Sequence, residues 1–85
     1  MATVKEQFEQ AAQDVKSLKE RPDNETMLRL YALYKQGSEG DVSGPTPGIF
    51  DFTASAKYHA WSQLEGTSQE SAMKKYIDLV NALTA

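Results

Sequence analysis

The sequence predicts an all-α fold, a bundle of four helices. Apolar residues recur with a 3.6-residue period in separate stretches, several stretches open on capping residues, and none shows the sustained alternation of a strand. At 85 residues the chain is one domain with one core. Without cysteine, that core stabilises the fold with no disulfide, thiolate nucleophile or Cys-ligated zinc.

Thr3 to Glu6 reads as a capping box, with Thr3 as N-cap and Glu6 three residues on. Val4, Phe8, Ala11, Ala12, Val15 and Leu18 then share a face, which predicts helix 1 from Val4 to Ser17 or Leu18. Pro22 ends that stretch, because the residue before a proline avoids the helical region. Asp23 or Asn24 caps helix 2, Glu25 sits in its first turn, and good helix formers run from Thr26 to Gln36. Gly37 and Gly40 read as its break.

Residues 37–53 are expected to be irregular, since they hold four of the five glycines and two of the three prolines. A connection this long either crosses between non-adjacent helices or carries function, and one loop can do both. Ile49, Phe50 and Phe52 are expected to pin its second half to the core. Helix 3 is placed from Thr53 or Ser55 to Leu64, with Gly66 as its C′ residue. Thr67 to Glu70 reads as a second capping box opening helix 4, Ser68 to Leu83.

With 9 basic against 12 acidic residues the formal charge is −3, which disfavours a nucleic-acid partner. No apolar run reaches the roughly 20 residues of a membrane span, so stable membrane insertion is not expected. The N-terminus lacks a signal-peptide core, and the expected location is cytoplasmic. A monomer is expected, with no spare apolar helix face.

The informative residues are charges interrupting apolar faces. On helix 2, Met27, Leu28, Tyr34 and Lys35 lie within about 60° of Tyr31. On helix 3, Ala54, Ala60, Trp61 and Leu64 lie within about 60° of Lys57. Lys16 sits at the margin of the helix 1 stripe, and Tyr76 is central in that of helix 4. Two readings fit these lysines. Either their stems snorkel over apolar surface, or their ammonium groups and the tyrosines form one anionic site.

The remaining candidates point to structure. His59, the one histidine, falls on the exposed side of helix 3 and has no partner for a metal site or a nucleophile pair. Asp41 and Asp51 are assigned turn or cap duty, and the loop glycines lack a P-loop ending. Leu33, opposite the Tyr31 stripe, is expected to be exposed.

Several ordered motifs resemble the acyl-CoA-binding protein family. Tyr31-Ala32-Leu33-Tyr34-Lys35-Gln36 is similar to its YxxYKQ segment. Gly40-Asp41-Val42 with Pro47-Gly48-Ile49-Phe50-Asp51-Phe52, and Ala56-Lys57-Tyr58-His59-Ala60-Trp61, match later ones. Phe8, Ala11, Ala12, Val15, Lys16 and Leu18 match its first helix, and Gly66-Thr67-Ser68 with Ala72-Met73 and Tyr76-Ile77 its last. The resemblance covers nearly the whole chain.

It implies an up-down-down-up four-helix bundle, a single acyl-CoA-binding domain over 1–85, that binds and carries medium- and long-chain fatty acyl-CoA without chemistry or cofactor of its own. Carried over, Lys35 and Lys57 with Tyr31 hold the ribose 3′-phosphate, and Lys16 belongs to the same cluster. Tyr76 lies beside the adenine, Tyr34 is the second binding tyrosine, Met27 and Leu28 border the acyl groove, and Arg21 assists. Three positions depart from the pattern: Tyr58 replaces a usual tryptophan, Thr46 an arginine often found before the proline, and Leu33 a residue that is often polar. Two other classes remain open at this point, a protein-interaction module docking on the Leu33 side and an enzyme acting on CoA esters.

Overall fold

A computed structural model describes residues 2–85, which form four α-helices and, among the described residues, no strand. Helix α1 spans Val4–Asp14 and tightens into a 3-10 turn over Val15–Ser17. Its capping box is reciprocal: the Glu6 N–H donates to Thr3 Oγ1 at 3.1 Å, and the Thr3 N–H to Glu6 Oε1 at 3.3 Å. Helix α2 spans Asn24–Glu39, capped by Asp23, whose carboxylate accepts from the Thr26 N–H at 2.8 Å.

Helix α3 spans Phe52–Ser62 and α4 spans Gln69–Thr84. Asp51 caps α3 by accepting from the Ala54 N–H at 3.1 Å, so α3 starts earlier than the helical pattern alone indicates. It also ends earlier, and turn bonds carry the chain through Glu65 to Gly66, whose φ of +90° needs glycine. The cap of α4 is Ser68, which accepts from the Ser71 N–H at 3.1 Å. The Thr67–Glu70 box expected there does not form, because the helix starts one residue later than that box requires.

Gly37 does not break α2. A Cβ there would sit 3.0 Å from Phe8 Cζ and 3.2 Å from Met73 Cγ, so its bare backbone lets α1 and α4 approach. The helix ends at Gly40, with φ +85°. The irregular connection therefore spans 40–51 rather than 37–53.

Inter-helix contacts give the directions. Lys57 meets Tyr31 and Lys35 meets Trp61, so residue numbers rise together along α2 and α3, which run parallel. Along α2 and α4 they run opposite: Gly37 approaches Met73, and one cavity joins Arg29 to Asp78. The short 18–23 connection returns α1 antiparallel to α2, which completes an up-down-down-up bundle.

Phe8, Ala11, Leu30, Leu33, Tyr76 and Val80 form the core where α1, α2 and α4 meet. Leu33, expected at the surface, is 5% exposed. Helix α2 packs on α4 with one face and on α3 with another, so a single-stripe reading underestimates how much of it is buried.

Three side chains brace the connections. Buried Gln36 donates through Nε2 to Asp41 Oδ1 at 2.9 Å and to the Thr67 carbonyl at 2.8 Å. The Trp61 Nε1–H donates to the Gly40 carbonyl at 2.9 Å. Asp41 Oδ1 also accepts from the Gly66 N–H, at 2.9 Å. Together they tie the end of α2 and the start of the long connection to α3 and to the α3–α4 turn.

Candidate functional site

Because α3 packs chiefly on α2, it stands away from α1 and leaves a cavity of about 700 Å³, within the range of small-molecule sites. Met27, Leu28, Tyr31 and Tyr34 of α2 form one wall. Phe52, Ala56 and Lys57 of α3 face them, Tyr76 reaches in from α4, and Val15 and Arg21 close the α1 side. Met27 and Phe52 give the wall apolar and aromatic surface, flanked by the polar Arg21, Asn24 and Thr53. Lys57 and the tyrosines give it cationic and hydroxyl groups.

The helical repeat produces this arrangement. Met27, Tyr31 and Tyr34 lie four and three residues apart, which stacks them on one face of α2. Phe52 and Ala56 do the same on α3, with Lys57 beside them. Phe8 stacks on Tyr34 with centroids 5.3 Å apart and meets Tyr76 edge-on at 5.2 Å. That aromatic cluster fixes the Tyr34 and Tyr76 rings from behind. Tyr76 is 3% exposed and Tyr34 42%, so the first is a packed floor and the second an open wall. Burial, and then the nearby Tyr34, push the Tyr76 phenol above its ordinary pKa. A tyrosine hydroxyl is protonated at neutral pH at its ordinary pKa and can donate, and the shift only moves its ionisation further from that range.

The cations differ in freedom. Lys57 Nζ lies 5.3 Å from the Tyr31 ring centroid, a cation–π contact, and Lys57 forms no ion pair among the described residues. Lys35 is paired with Glu39 and lies over the Trp61 ring at 4.9 Å. The hydrogen bond to Glu39 holds its ammonium above the usual lysine pKa.

The cavity thus brings together Arg21, Met27, Leu28, Tyr31, Tyr34, Lys57 and Tyr76 of the residues expected at a site. Lys16, exposed in the 3-10 turn, and Lys35 do not line it. Val15, Leu30, Phe52, Thr53 and Ala56 line it although sequence reasoning does not single them out as site residues. The signal for Phe52 is its spacing of four and five residues from Ala56 and Lys57, obscured by the expectation that it belongs to the core.

Although the chain is net acidic, among the described residues no carboxylate lines this cavity, whereas Arg21 and Lys57 do. A second cavity of about 670 Å³ opens between α3 and α4. Its rim mixes Glu25 and Asp78 with Arg29 and Lys75, and it holds no tyrosine among the described residues. His59 belongs to that rim, exposed as expected. Among the described residues no group of three histidine, aspartate or glutamate side chains is placed to hold a metal ion.

Comparison with known proteins points the same way. A family model described as acyl CoA binding protein matches residues 5–80. The chain is 46% identical over 82 residues to the acyl-CoA-binding protein homolog of Drosophila melanogaster, covering 96% of this chain and 95% of that one. It is 47% identical over 85 residues to enoyl-CoA delta isomerase 2 of Rattus norvegicus; all of this chain is covered, but it spans only 22% of that relative. Among solved structures it is similar to Oryza sativa acyl-CoA-binding protein 2, with a TM-score of 0.92 and 41% identity over 96% of this chain and 91% of that one.

Proposed function

The chain belongs to the acyl-CoA-binding protein family, and from that premise we propose that the α2–α3 cavity holds a medium- or long-chain fatty acyl-CoA ester. The observation that carries this reading is the lining itself: two cations and three phenols without a carboxylate, together with aliphatic and aromatic side chains, among the described residues. An anionic amphiphile matches both kinds of lining. In this reading Met27, Leu28, Phe52 and Ala56 border the acyl chain. Lys57, with Tyr31 and Arg21, meets the phosphates, and Tyr34 and Tyr76 present rings and hydroxyls to the nucleotide.

Magnitudes explain why both kinds of lining are needed. Burying about 0.8 kcal/mol per methylene gives a sixteen-carbon chain a gross term near 10 kcal/mol, before association and ordering costs. Charge-assisted hydrogen bonds to phosphate add about 1.5–3 kcal/mol each. Nanomolar binding takes about 12 kcal/mol, which neither kind reaches alone once the costs are subtracted. The protein acts as a monomeric carrier in the cytosol, shielding the thioester without transforming it. The alternative of an interaction module docking on the Leu33 side cannot use Leu33 itself as an exposed anchor, since that side chain is 5% exposed.

Lys57 tests the reading, since it lines the cavity, is exposed and forms no ion pair among the described residues. Lys57→Ala is expected to weaken acyl-CoA binding about 10- to 100-fold, the equivalent of one charge-assisted bond. Its unfolding midpoint should stay near that of the wild type. Affinity loss that only follows loss of folding would make Lys57 a structural residue and remove the reading's main support.

A further inference from the structure

Ile49, Phe50 and Phe52 are 79%, 85% and 76% exposed, the largest values among the exposed large apolar residues of the described chain. Single exposed apolar residues are ordinary, but three within four positions make a patch. The exposure is built into the backbone. The Asp51 N–H donates to the Gly48 carbonyl at 3.0 Å, closing a turn whose two projecting positions are Ile49 and Phe50. Asp51 also caps α3, which anchors the turn to the first residues of a helix.

The turn leads along the chain directly into the cavity wall. Phe52 belongs to both patch and wall: it follows Phe50 by two residues and lines the cavity together with Ala56 and Lys57. Ile49 and Phe50 do not line it. A ligand seated in the cavity would cover Phe52 and leave the other two side chains in water. Their partner must therefore be something outside the molecule. A protruding turn tip presents two apolar side chains without a groove, whereas a protein partner would need a preformed pocket to receive them. A fluid apolar interface needs none.

The geometry points to a membrane-docking tip: Ile49 and Phe50 enter the interfacial layer of a lipid bilayer and set the cavity, through Phe52, against the surface where a fatty acyl-CoA ester is collected or released. This rests on the acyl-CoA reading of the cavity, because such esters are amphiphiles that partition into bilayers. Two side chains give shallow, reversible docking, far short of a spanning helix, and no helix among the described residues is long and apolar enough to cross a membrane. With a net charge of −3 the attraction is apolar, so neutral phosphatidylcholine surfaces suffice and added salt does not abolish it.

The test uses Ile49→Ser/Phe50→Ser, and Phe50→Trp as a reporter. Ligand-free wild-type protein should co-float with phosphatidylcholine vesicles, and the double variant should bind them at least about tenfold more weakly. Transfer of a fluorescent acyl-CoA from protein to vesicles should speed up with vesicle concentration for the wild type and not for the variant. In vesicle-free buffer the two should bind palmitoyl-CoA within about twofold, since neither substituted residue lines the cavity. Tryptophan at position 50 should shift its emission to the blue on vesicles and be quenched by brominated lipid, a readout that does not depend on how the double variant folds. Equal flotation, vesicle-independent transfer and an unshifted Phe50→Trp spectrum would overturn the tip. Failure of the wild type to bind palmitoyl-CoA in buffer would instead overturn the cavity reading, and flotation would still report on the tip.

Discussion

Lys35 and Lys57 face the same α2–α3 seam with different freedom. Lys57 forms no ion pair among the described residues and lines the cavity, while Lys35 is tied to Glu39 and lies over Trp61. For Lys35 to meet a phosphate it must leave that carboxylate. We therefore expect Lys35→Ala to lose less affinity for an acyl-CoA than Lys57→Ala. Glu39→Gln, which frees Lys35, should tighten binding by up to about fivefold at low ionic strength, the scale of a partly exposed ion pair. Titration of the three variants checks this, and unchanged affinity in Glu39→Gln would mean that Lys35 does not reach the ligand. At this scale the helical period by itself marks Tyr31, Tyr34, Lys57 and Tyr76. It does not tell a free lysine from a paired one, because a helix expected to break at Gly37 leaves Glu39 outside α2 and out of reach of Lys35.

The elements are held by residues that the family resemblance also contains. Gln36, Gly40, Asp41 and Trp61 brace the long connection through their hydrogen bonds, and none of them lines the cavity. Asp41 gives a pH prediction. The Gly66 N–H, and then the Gln36 side chain, hold its carboxyl below the ordinary pKa. Stability from this carboxylate is complete above the unfolded pKa of about 3.9 and is lost as pH falls through the lower folded value. Asp41→Asn should therefore be less stable than wild type near neutrality, and the gap should close below about pH 4. Denaturant midpoints across that range decide it; a gap independent of pH would mean that the carboxylate charge plays no part in the brace.

Gly37 gives a packing prediction. Alanine there gains helix propensity worth about 1 kcal/mol but overpacks Phe8 and Met73, which typically costs about 1–3 kcal/mol. We expect net destabilisation by thermal melting; a stabilised Gly37→Ala would show that α1 stands farther from α2 than described. Helix existence is legible in the sequence because caps and periodicity agree at α1, α2 and α4. Boundaries are less so. Gly37 carries the composition of a break and the geometry of a close contact, and only the packing of α1 and α4 separates the two. Ile49, Phe50 and Phe52 mislead for the opposite reason: hydrophobicity normally means core, and here the core is filled from α1, α2 and α4.

For the whole molecule, fold and site arise from one asymmetry. Helix α4 closes on both α1 and α2, whereas α3 packs chiefly on α2. The first arrangement supplies the core and the second leaves the cavity open. The four helices and the long second connection are legible in the sequence. The burial of α2 on two faces is not, which is why Leu33 looks like a surface residue and is a core one. The central claim is that one ligand is read by both kinds of lining in the cavity. Calorimetric titration with palmitoyl-CoA below its micelle concentration, with CoA and palmitate as controls, tests it most directly. One-to-one binding at nanomolar Kd is expected, with each control weaker by orders of magnitude. Equal binding of palmitate and its CoA ester, or no binding of either, would contradict it.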